Sequence, residues 1–218
     1  MSEDLKKLEL IANENLKLAE DEKNHVKLLN AAIINEVKRT KARKEFAQKE
    51  LKLNEIREEL VEVYSKLIEK KRDLAEKEFI NMNNKEIEVE EDFSNYTELI
   101  SKIQIEIAEI QYKIAEIEVE IVDQKSLIAY ERNYIANERI DLANKILAYI
   151  KAIKKGKSEN KISNLQEEYL AIQETITANR KDLFKDLKKL KGIENNLIDL
   201  KKELSIKLAE REKIRPKI

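Results

Sequence analysis

The spacing in this chain that most resembles a metal-binding motif is Glu-x-x-His, at Glu22 and His25. On a helix, residues three positions apart lie on one face, and helical bundles use this pair to hold two metal ions. Such a centre needs a second copy of the motif, and His25 is the only histidine among the 218 residues. We therefore expect a solvent-exposed pair, with no metal and no cofactor.

The residues needed for nucleophilic catalysis are scarce. With no Cys and one His, the chain cannot assemble a Cys/His pair and has one candidate base for a Ser/His pair. Its two glycines, Gly156 and Gly192, are too far apart to form a phosphate-binding loop. We expect a protein that is not an enzyme and that takes no small-molecule substrate.

A set of polar residues is expected to meet at the middle of the fold: Arg39, Arg43, Glu131, Arg132, Glu138, Arg139, Asn179 and Arg180. One interpretation is a polar layer with Arg–Glu pairs that fixes the register of the helices. A second is a basic surface band for phosphate headgroups or another polyanion. A third is a site for a small molecule or an ion.

The composition indicates the elements that must position these residues. Two Gly and one Pro in 218 residues leave very few turns, which excludes sandwiches, barrels and Rossmann-like sheets. Charged residues at 40% and hydrophobic residues at 42% are typical of coiled coils and long helical bundles. The formal net charge of −1 argues against a nucleic-acid binder, which would carry a basic excess.

Two interruptions divide the chain. The first is Asn-rich and then acidic, at 81–93, and the second surrounds Gly156, at 155–159. They predict an all-α fold, a single domain over 1–218, with helices at about 3–80, 93–155 and 159–214. Because short connections make neighbouring helices antiparallel, we expect an elongated antiparallel three-helix bundle.

Apolar residues at alternating three- and four-residue spacing form seams on each helix. The third helix has one seam, from Ile162 to Leu204, which Asn179 and Asp186 interrupt. The second has two seams, one through Ile107 and the other through Ala108, and is therefore expected to pack between the other two helices. The clearest seam of the first helix consists of Leu53, Ile56, Leu60, Val63, Leu67, Lys70 and Leu74.

Folding at about residues 86 and 156 sets a register for the bundle. It places the lysines around the second turn, including Lys151 and Lys154, beside Glu14 and the acidic residues 20–22 near the N-terminus. Opposite charges at one end of the bundle favour this alignment. The register also leaves about the first dozen residues projecting beyond the second turn.

The leading functional prediction is a structural or scaffold protein that works by self-association and protein–protein contact. Projection of the N-terminus would leave an apolar stripe uncovered, and such stripes mark partner surfaces. The expected surface consists of Leu5, Leu8, Leu10 and Ile11. The expected partner is a second copy of the chain or another helical protein, and no nucleic acid is expected.

Two alternatives remain open. Three long helices in about 220 residues resemble the general layout of BAR-type dimers, which would imply binding to an anionic membrane surface. The other alternative is a helical component of a virion, a secretion machine or a toxin. No leader and no run of 18 apolar residues is present, so a cytoplasmic location is expected, with a virion component as the alternative.

Overall fold

The structure is a computed structural model, and it describes residues 3–77 and 84–214. Three helices make up nearly all of it: α1 (Glu3–Lys77), α2 (Asn84–Lys154) and α3 (Glu159–Lys213). The described ranges contain no β-strand, and side chains of all three helices meet in one apolar cluster. The predicted all-α, three-helix fold is confirmed.

The turn between α2 and α3 lies at Gly156, as predicted. Its φ of 58° is in the left-handed region, which glycine adopts because it has no Cβ. The Lys157 N–H donates to the Ala152 carbonyl over 3.1 Å, and the Gly156 N–H donates to the Ile153 carbonyl over 3.0 Å. These two bonds form a Schellman motif, which satisfies carbonyls at the end of α2.

The first interruption is shorter than predicted on its C-terminal side. Helix α2 begins at Asn84 instead of at about residue 93, so the acidic stretch 86–92 lies inside the helix. Glutamate has a high helix propensity and is stabilising near a helix N-terminus. Ser94 is buried between helices, with its Oγ 2.7 Å from the Ser65 Oγ, and does not cap α2. The predicted end of the first helix, at about 80, and residues 81–83 lie outside the described residues.

The earlier start of α2 changes its register against α1. Glu36 Oε1 lies 3.0 Å from Lys125 Nζ, and Arg43 Nη1 lies 3.1 Å from Glu118 Oε2. Both pairs are symmetric about a point near residue 80, not 86. The partner of Lys154 is accordingly Glu9, at 4.0 Å, and not an acid between 14 and 22. That part of the predicted register is wrong because the first turn was placed too late.

The register of α2 against α3 agrees with a fold at about residue 156. Lys145 pairs with Glu168, and Lys207 Nζ lies 2.7 Å from Glu106 Oε2. Every position of the α3 seam from Ile162 to Leu204 is buried or half-buried. The two α2 seams are also buried or half-buried along their length, so both predictions are confirmed.

Internal contacts divide the chain into two compact units. Unit 1 consists of Met1–Val37 and Ile121–Ile193, and unit 2 of Lys38–Glu120 and Glu194–Ile218. Each unit therefore contains a segment of every helix. The expectation of a single domain stays a prediction.

Unit 1 has the larger apolar core. Its main cluster includes Ala143 and Ile146 of α2, which are 0% and 2% exposed, together with Ala12 of α1. The rings of Tyr149 and Tyr169 meet edge to face, with centroids 5.4 Å apart. A smaller cluster brings together Ile33 of α1 with Val122 and Ala129 of α2. Small residues such as Ala12 and Ala143 allow the helices to approach closely.

Unit 2 combines a thinner core with ion pairs. Its buried residues are Ala47, Thr40, Ile68, Ser94, Ser101, Ile107, Ala108, Ile110 and Ala115. Glu118 forms ion pairs with Arg43 of α1 and with Lys201 of α3, whose Nζ lies 4.0 Å from Glu118 Oε1. Lys71 Nζ lies 3.2 Å from Glu90 Oε2, close to the start of α2. These contacts join the helices where few large apolar side chains are buried.

Candidate functional site

Six of the eight predicted polar residues belong to unit 1, namely Glu131, Arg132, Glu138, Arg139, Asn179 and Arg180. Arg39 and Arg43 belong to unit 2, where α1 sets Arg43 against Glu118. In the 131–139 segment, Arg139 bonds Asn15 of α1 and Arg132 pairs with Glu22 of α1. The predicted pairing of Arg43 with that segment is therefore wrong, because the register shifted with the first turn.

Glu131 lies at the centre of the polar group in unit 1. With Tyr130, Tyr134, Asn179 and Asp182 it lines a cavity of about 310 Å³ between α2 and α3. Burial, followed by the adjacent Asp186 and Asp182 carboxyls, raises the pKa of Glu131 to about 7. A hydrogen bond between the Glu131 and Asp186 carboxyls requires a proton on one of them, so this pair favours a protonated Glu131 near neutral pH.

Neighbouring amide and hydroxyl groups complete this cluster. Gln124 Nε2 donates to Asp186 Oδ1 over 3.0 Å, which occupies one oxygen of that carboxylate. The Tyr134 hydroxyl bonds Glu138, and this carboxylate raises the pKa of Tyr134. Asp186, which interrupts the seam of the third helix, thus meets Gln124 of α2. The sequence pattern marked Asp186 as unusual but gave it no partner.

The two arginines of α2 face α1. Arg132 Nη1 lies 3.6 Å from Glu22 Oε1, and Arg139 Nη1 donates to Asn15 Oδ1 over 3.1 Å. Burial and the like charge of Arg180 lower the pKa of Arg139. Sequence reasoning missed Asn15, because the predicted register placed a different stretch of α1 opposite these arginines.

Three buried polar atoms in this cluster have no hydrogen-bond partner: Glu131 Oε2, Arg132 Nε and Asn179 Nδ2. Leaving such groups unpaired costs about 1–3 kcal/mol each. Within residues 3–77 and 84–214, no group of three or more acidic or histidine side chains is placed to hold a metal ion.

Two basic residues of unit 2, Arg43 and Lys44, are engaged with acids. Arg43 pairs with Glu118, and Lys44 Nζ lies 2.9 Å from Glu116 Oε1 and 5.6 Å from the Tyr112 ring centroid. The hydrogen bond between Lys44 and Glu116 raises the pKa of Lys44 and lowers that of Glu116. Arg39 is solvent-exposed. Neutralisation by glutamates weakens the case for a basic band that binds anionic lipid.

The four residues of the predicted self-association surface differ in exposure. Leu5 and Leu8 are half-buried and pack against the main cluster of unit 1, so the expectation that they lie uncovered is wrong. Leu10 and Ile11 are 59% and 43% exposed. In the observed register Glu9 lies beside Lys154, so the N-terminal turns of α1 lie alongside the end of α2. Leu5 and Leu8 therefore have apolar neighbours to pack against.

A regular apolar stripe on the surface of α1 contains the seam that the sequence pattern picked out, from Leu53 to Leu74. That seam included Lys70, which is also exposed, and did not include Phe46. We call the apolar stripe the α1 seam, and it consists of Phe46, Leu53, Ile56, Leu60, Val63, Leu67 and Leu74. Each of these side chains is between 48% and 67% exposed. The stripe spans the 29 residues from Phe46 to Leu74, or about 42 Å of helix. The seam therefore has the spacing of a coiled-coil core but is not buried within the chain.

A second stripe, displaced by one residue, makes the contacts of α1 within unit 2. It repeats every seven residues at Ala47, Asn54, Val61 and Ile68, which are buried or half-buried. Two of these four side chains are small or polar, so hydrophobicity alone ranks this stripe below the α1 seam. The bulkier stripe was for that reason the clearest seam in the sequence.

None of the helices in the described ranges has the length and apolar character needed to cross a membrane. Comparisons with known proteins found no matching family model, no similar curated protein and no similar solved structure.

Proposed function

We propose that this chain is a non-catalytic structural or scaffold protein that acts by helix-to-helix contact with a second copy of itself or another helical protein. The observation that carries the proposal is the exposed α1 seam. Its residues follow the alternating three- and four-residue spacing of a coiled coil, and such a spacing on a free face is complementary to another helix. Scattered surface leucines would not have this regularity.

The size of the seam supports an interaction that can be measured. Full burial of a Leu, Ile, Val or Phe side chain contributes about 1.5–3 kcal/mol, so a half-exposed one still gains roughly 1 kcal/mol on burial. Association costs about 4–15 kcal/mol in lost motional freedom. Seven such side chains on each partner are enough to offset a cost of this order.

The character of the unit 1 cluster supports a role without catalysis. Its carboxyls, amides and arginines bond mainly to one another across the helix interfaces. We assign this cluster to helix alignment and the α1 seam to the interaction.

Molar mass measured by light scattering over a wide range of protein concentration tests the proposal. The wild-type chain should exceed the 25.6 kDa of one chain as concentration rises. A variant with Ile56→Glu, Leu60→Glu and Val63→Glu should remain at the mass of one chain, because six glutamates would replace apolar side chains in the contact between two seams. Circular dichroism should show the same helix content for both proteins.

A matched control replaces three exposed apolar residues that lie outside the seam, with Leu18→Glu, Leu28→Glu and Ile34→Glu. These side chains are 49%, 75% and 59% exposed, similar to those of the seam. The control should associate as the wild type does. A third variant, Leu10→Glu with Ile11→Glu, tests the N-terminal surface. A wild-type chain that stays at single-chain mass at all concentrations, alone and with helical partners, contradicts the proposal.

A further inference from the structure

Charged residues border the α1 seam on its solvent side. They recur every seven residues, directly before a seam position, and alternate in sign: Glu45, Lys52, Glu59, Lys66 and Asp73. All five are exposed. In coiled coils, residues at such bordering positions form ion pairs with the partner helix and select its orientation. The alternation therefore carries information about the partner.

A parallel, in-register pair of α1 seams is disfavoured by these charges. In that arrangement each bordering residue faces the residue five positions later in the second copy. The resulting pairs would be Glu45 with Glu50, Lys52 with Arg57 and Lys66 with Lys71. Like charges at these positions are repulsive, so the parallel homodimer is selected against.

An antiparallel pair places the solvent-side border of one copy against the same border of the other. If the twofold axis passes between residues 61 and 62, Glu59 faces Lys66 of the second copy and Lys52 faces Asp73. Symmetry repeats both pairs, which gives four complementary contacts. Moving the axis to residue 58 instead sets Glu59 against Glu59 and Lys52 against Lys66. The alternating signs thus distinguish adjacent registers.

The apolar layers agree with the register centred between residues 61 and 62. It pairs Leu60 with Val63 of the second copy, and Ile56 with Leu67, each twice by symmetry. A register centred between residues 54 and 55 also matches the border charges, but it places Arg39 against Lys70 in a core layer. Two cations in a core layer are unfavourable, so this register is excluded by the same pattern.

Two lysines at seam positions fit the preferred register. Lys70 faces Leu53 of the second copy, and Lys49 faces Leu74. A lysine opposite a leucine covers it with its aliphatic stem while the ammonium group reaches water. Both lysines are exposed in the single chain, so neither has to break a buried contact.

From the seam, its border and its lysines we infer that the occupant of the α1 seam is the α1 seam of a second copy, antiparallel, with the twofold axis between residues 61 and 62. The inference rests on the proposed function, because it presumes that the seam is an association surface. It adds the identity, direction and register of the partner.

Disulfide cross-linking tests the register directly, because the wild-type chain has no cysteine. Two full-length variants, Leu60→Cys and Val63→Cys, are mixed under mild oxidation. The mixture should form a covalent heterodimer, since these positions share one core layer. Two controls test other arrangements. A disulfide-linked dimer of Leu60→Cys alone would indicate a parallel, in-register pair. A disulfide-linked heterodimer of Leu60→Cys with Ile56→Cys would indicate an antiparallel pair with its axis at residue 58. Either control cross-linking in preference to the 60/63 mixture would overturn the inference.

Charge exchange gives an independent readout. Glu59→Lys should weaken the dimer about 5- to 30-fold, because two Lys–Lys contacts replace two Glu–Lys contacts. The double variant Glu59→Lys with Lys66→Glu should recover affinity to within about threefold, since the pairs reform with exchanged partners. A double variant weaker than the single one overturns the inference.

The outcomes separate the inference from the proposed function. Association that is lost in the Ile56/Leu60/Val63 triple glutamate variant, without cross-linking of the 60/63 mixture, keeps the function and rejects this arrangement. Association only with another helical protein does the same. A chain that remains at single-chain mass and binds no helical partner rejects both.

Discussion

Polar side chains at core positions are the residues that most distinguish this bundle from a generic one. Glu131, Gln124 and Asp186 occupy the interface of α2 and α3, where an apolar residue would pack more easily. A buried carboxyl next to other carboxyls is costly when it is ionised. The bond from Gln124 Nε2 to Asp186 Oδ1 would be broken by a slip of α3 against α2, so a role of these residues in helix alignment is part of our proposal.

The raised pKa of Glu131 predicts a pH-dependent stability. Its pKa is about 7 in the folded chain and 4.5 as the ordinary value, so the folded state binds the proton more tightly. Stability should therefore fall as pH rises from about 4.5 to 7, and then level off. We expect a loss of about 1–2 kcal/mol, after allowance for solvent screening of a partly exposed group.

Urea unfolding across this pH range, on the wild type and Glu131→Gln, checks the prediction. The variant should lack this component of the pH dependence and be the more stable protein above pH 7. The solvent-exposed Glu120→Gln serves as control. Identical pH profiles for the wild type and Glu131→Gln would refute the role given to Glu131.

Replacing each of the two glycines by alanine should change folding stability in opposite directions. Gly156→Ala should cost about 1–2 kcal/mol, because alanine is strained at a φ of 58°. Gly192→Ala should stabilise the chain by about 0.5–1 kcal/mol, because it lies within α3 and an added Cβ meets nothing within 4 Å. Thermal unfolding of the two variants gives both signs, and equal signs would contradict this account.

Helix α1 carries two apolar stripes and uses only one of them within unit 2. The inward stripe includes Ala47 and Ile68, which are 6% and 3% exposed. Leu60 and Val63 on the outward stripe are 67% and 63% exposed. A helix with two apolar stripes has two sets of neighbours, or one set and a free face. The free face of α1 is what makes this element the candidate for interaction.

Adjacent residues of α1 allow these roles to be separated. Ile68→Ala should cost about 2–4 kcal/mol in folding stability, because it removes a buried side chain and leaves a cavity. Leu67→Ala should cost less than about 1 kcal/mol, since Leu67 is 50% exposed. Urea unfolding at low protein concentration measures folding without association. Comparable losses for both variants would place Leu67 in the core.

As a whole, the chain balances 43 basic against 44 acidic residues, so long-range repulsion does not oppose association. The order of positive and negative residues along α1 then selects the direction and register in which a second copy binds. Ion pairs such as Lys71–Glu90 and Lys125–Glu36 use part of this charge within the chain. The solvent-side border of the α1 seam retains alternating charges for a partner.

Coupling between association and folding predicts a concentration-dependent melting temperature. A second copy that binds only the folded chain stabilises it by mass action, so Tm of the wild type should rise with protein concentration. Tm of the Ile56/Leu60/Val63 triple glutamate variant should not change. Differential scanning calorimetry at several concentrations measures both. A constant wild-type Tm would contradict self-association through the folded seam.

Sequence patterns predicted the helices and the second turn but misplaced the first. Gly156 ends a helix in the left-handed conformation, and a glycine after a run of helix-forming residues is a recognisable signal for such an end. Residues 86–92 are compatible with two structures, a turn that precedes the helix or the first turns of the helix itself. Acidic residues are common in both places, so the sequence does not distinguish them. The error moved α1 by several residues against α2, so Arg43 received the wrong partner and Asn15 was missed.

Periodicity, composition and glycine placement are local properties, and they were sufficient for an all-α fold with three helices. Which of two stripes on α1 faces inward is not local, because it depends on the shape of the α2 surface opposite. Ala47, Asn54 and Val61 allow α1 to approach α2 where bulkier side chains would hold it away. The tertiary contacts therefore leave the most hydrophobic seam of α1 facing solvent. This exposed seam is the surface to which we assign the proposed function.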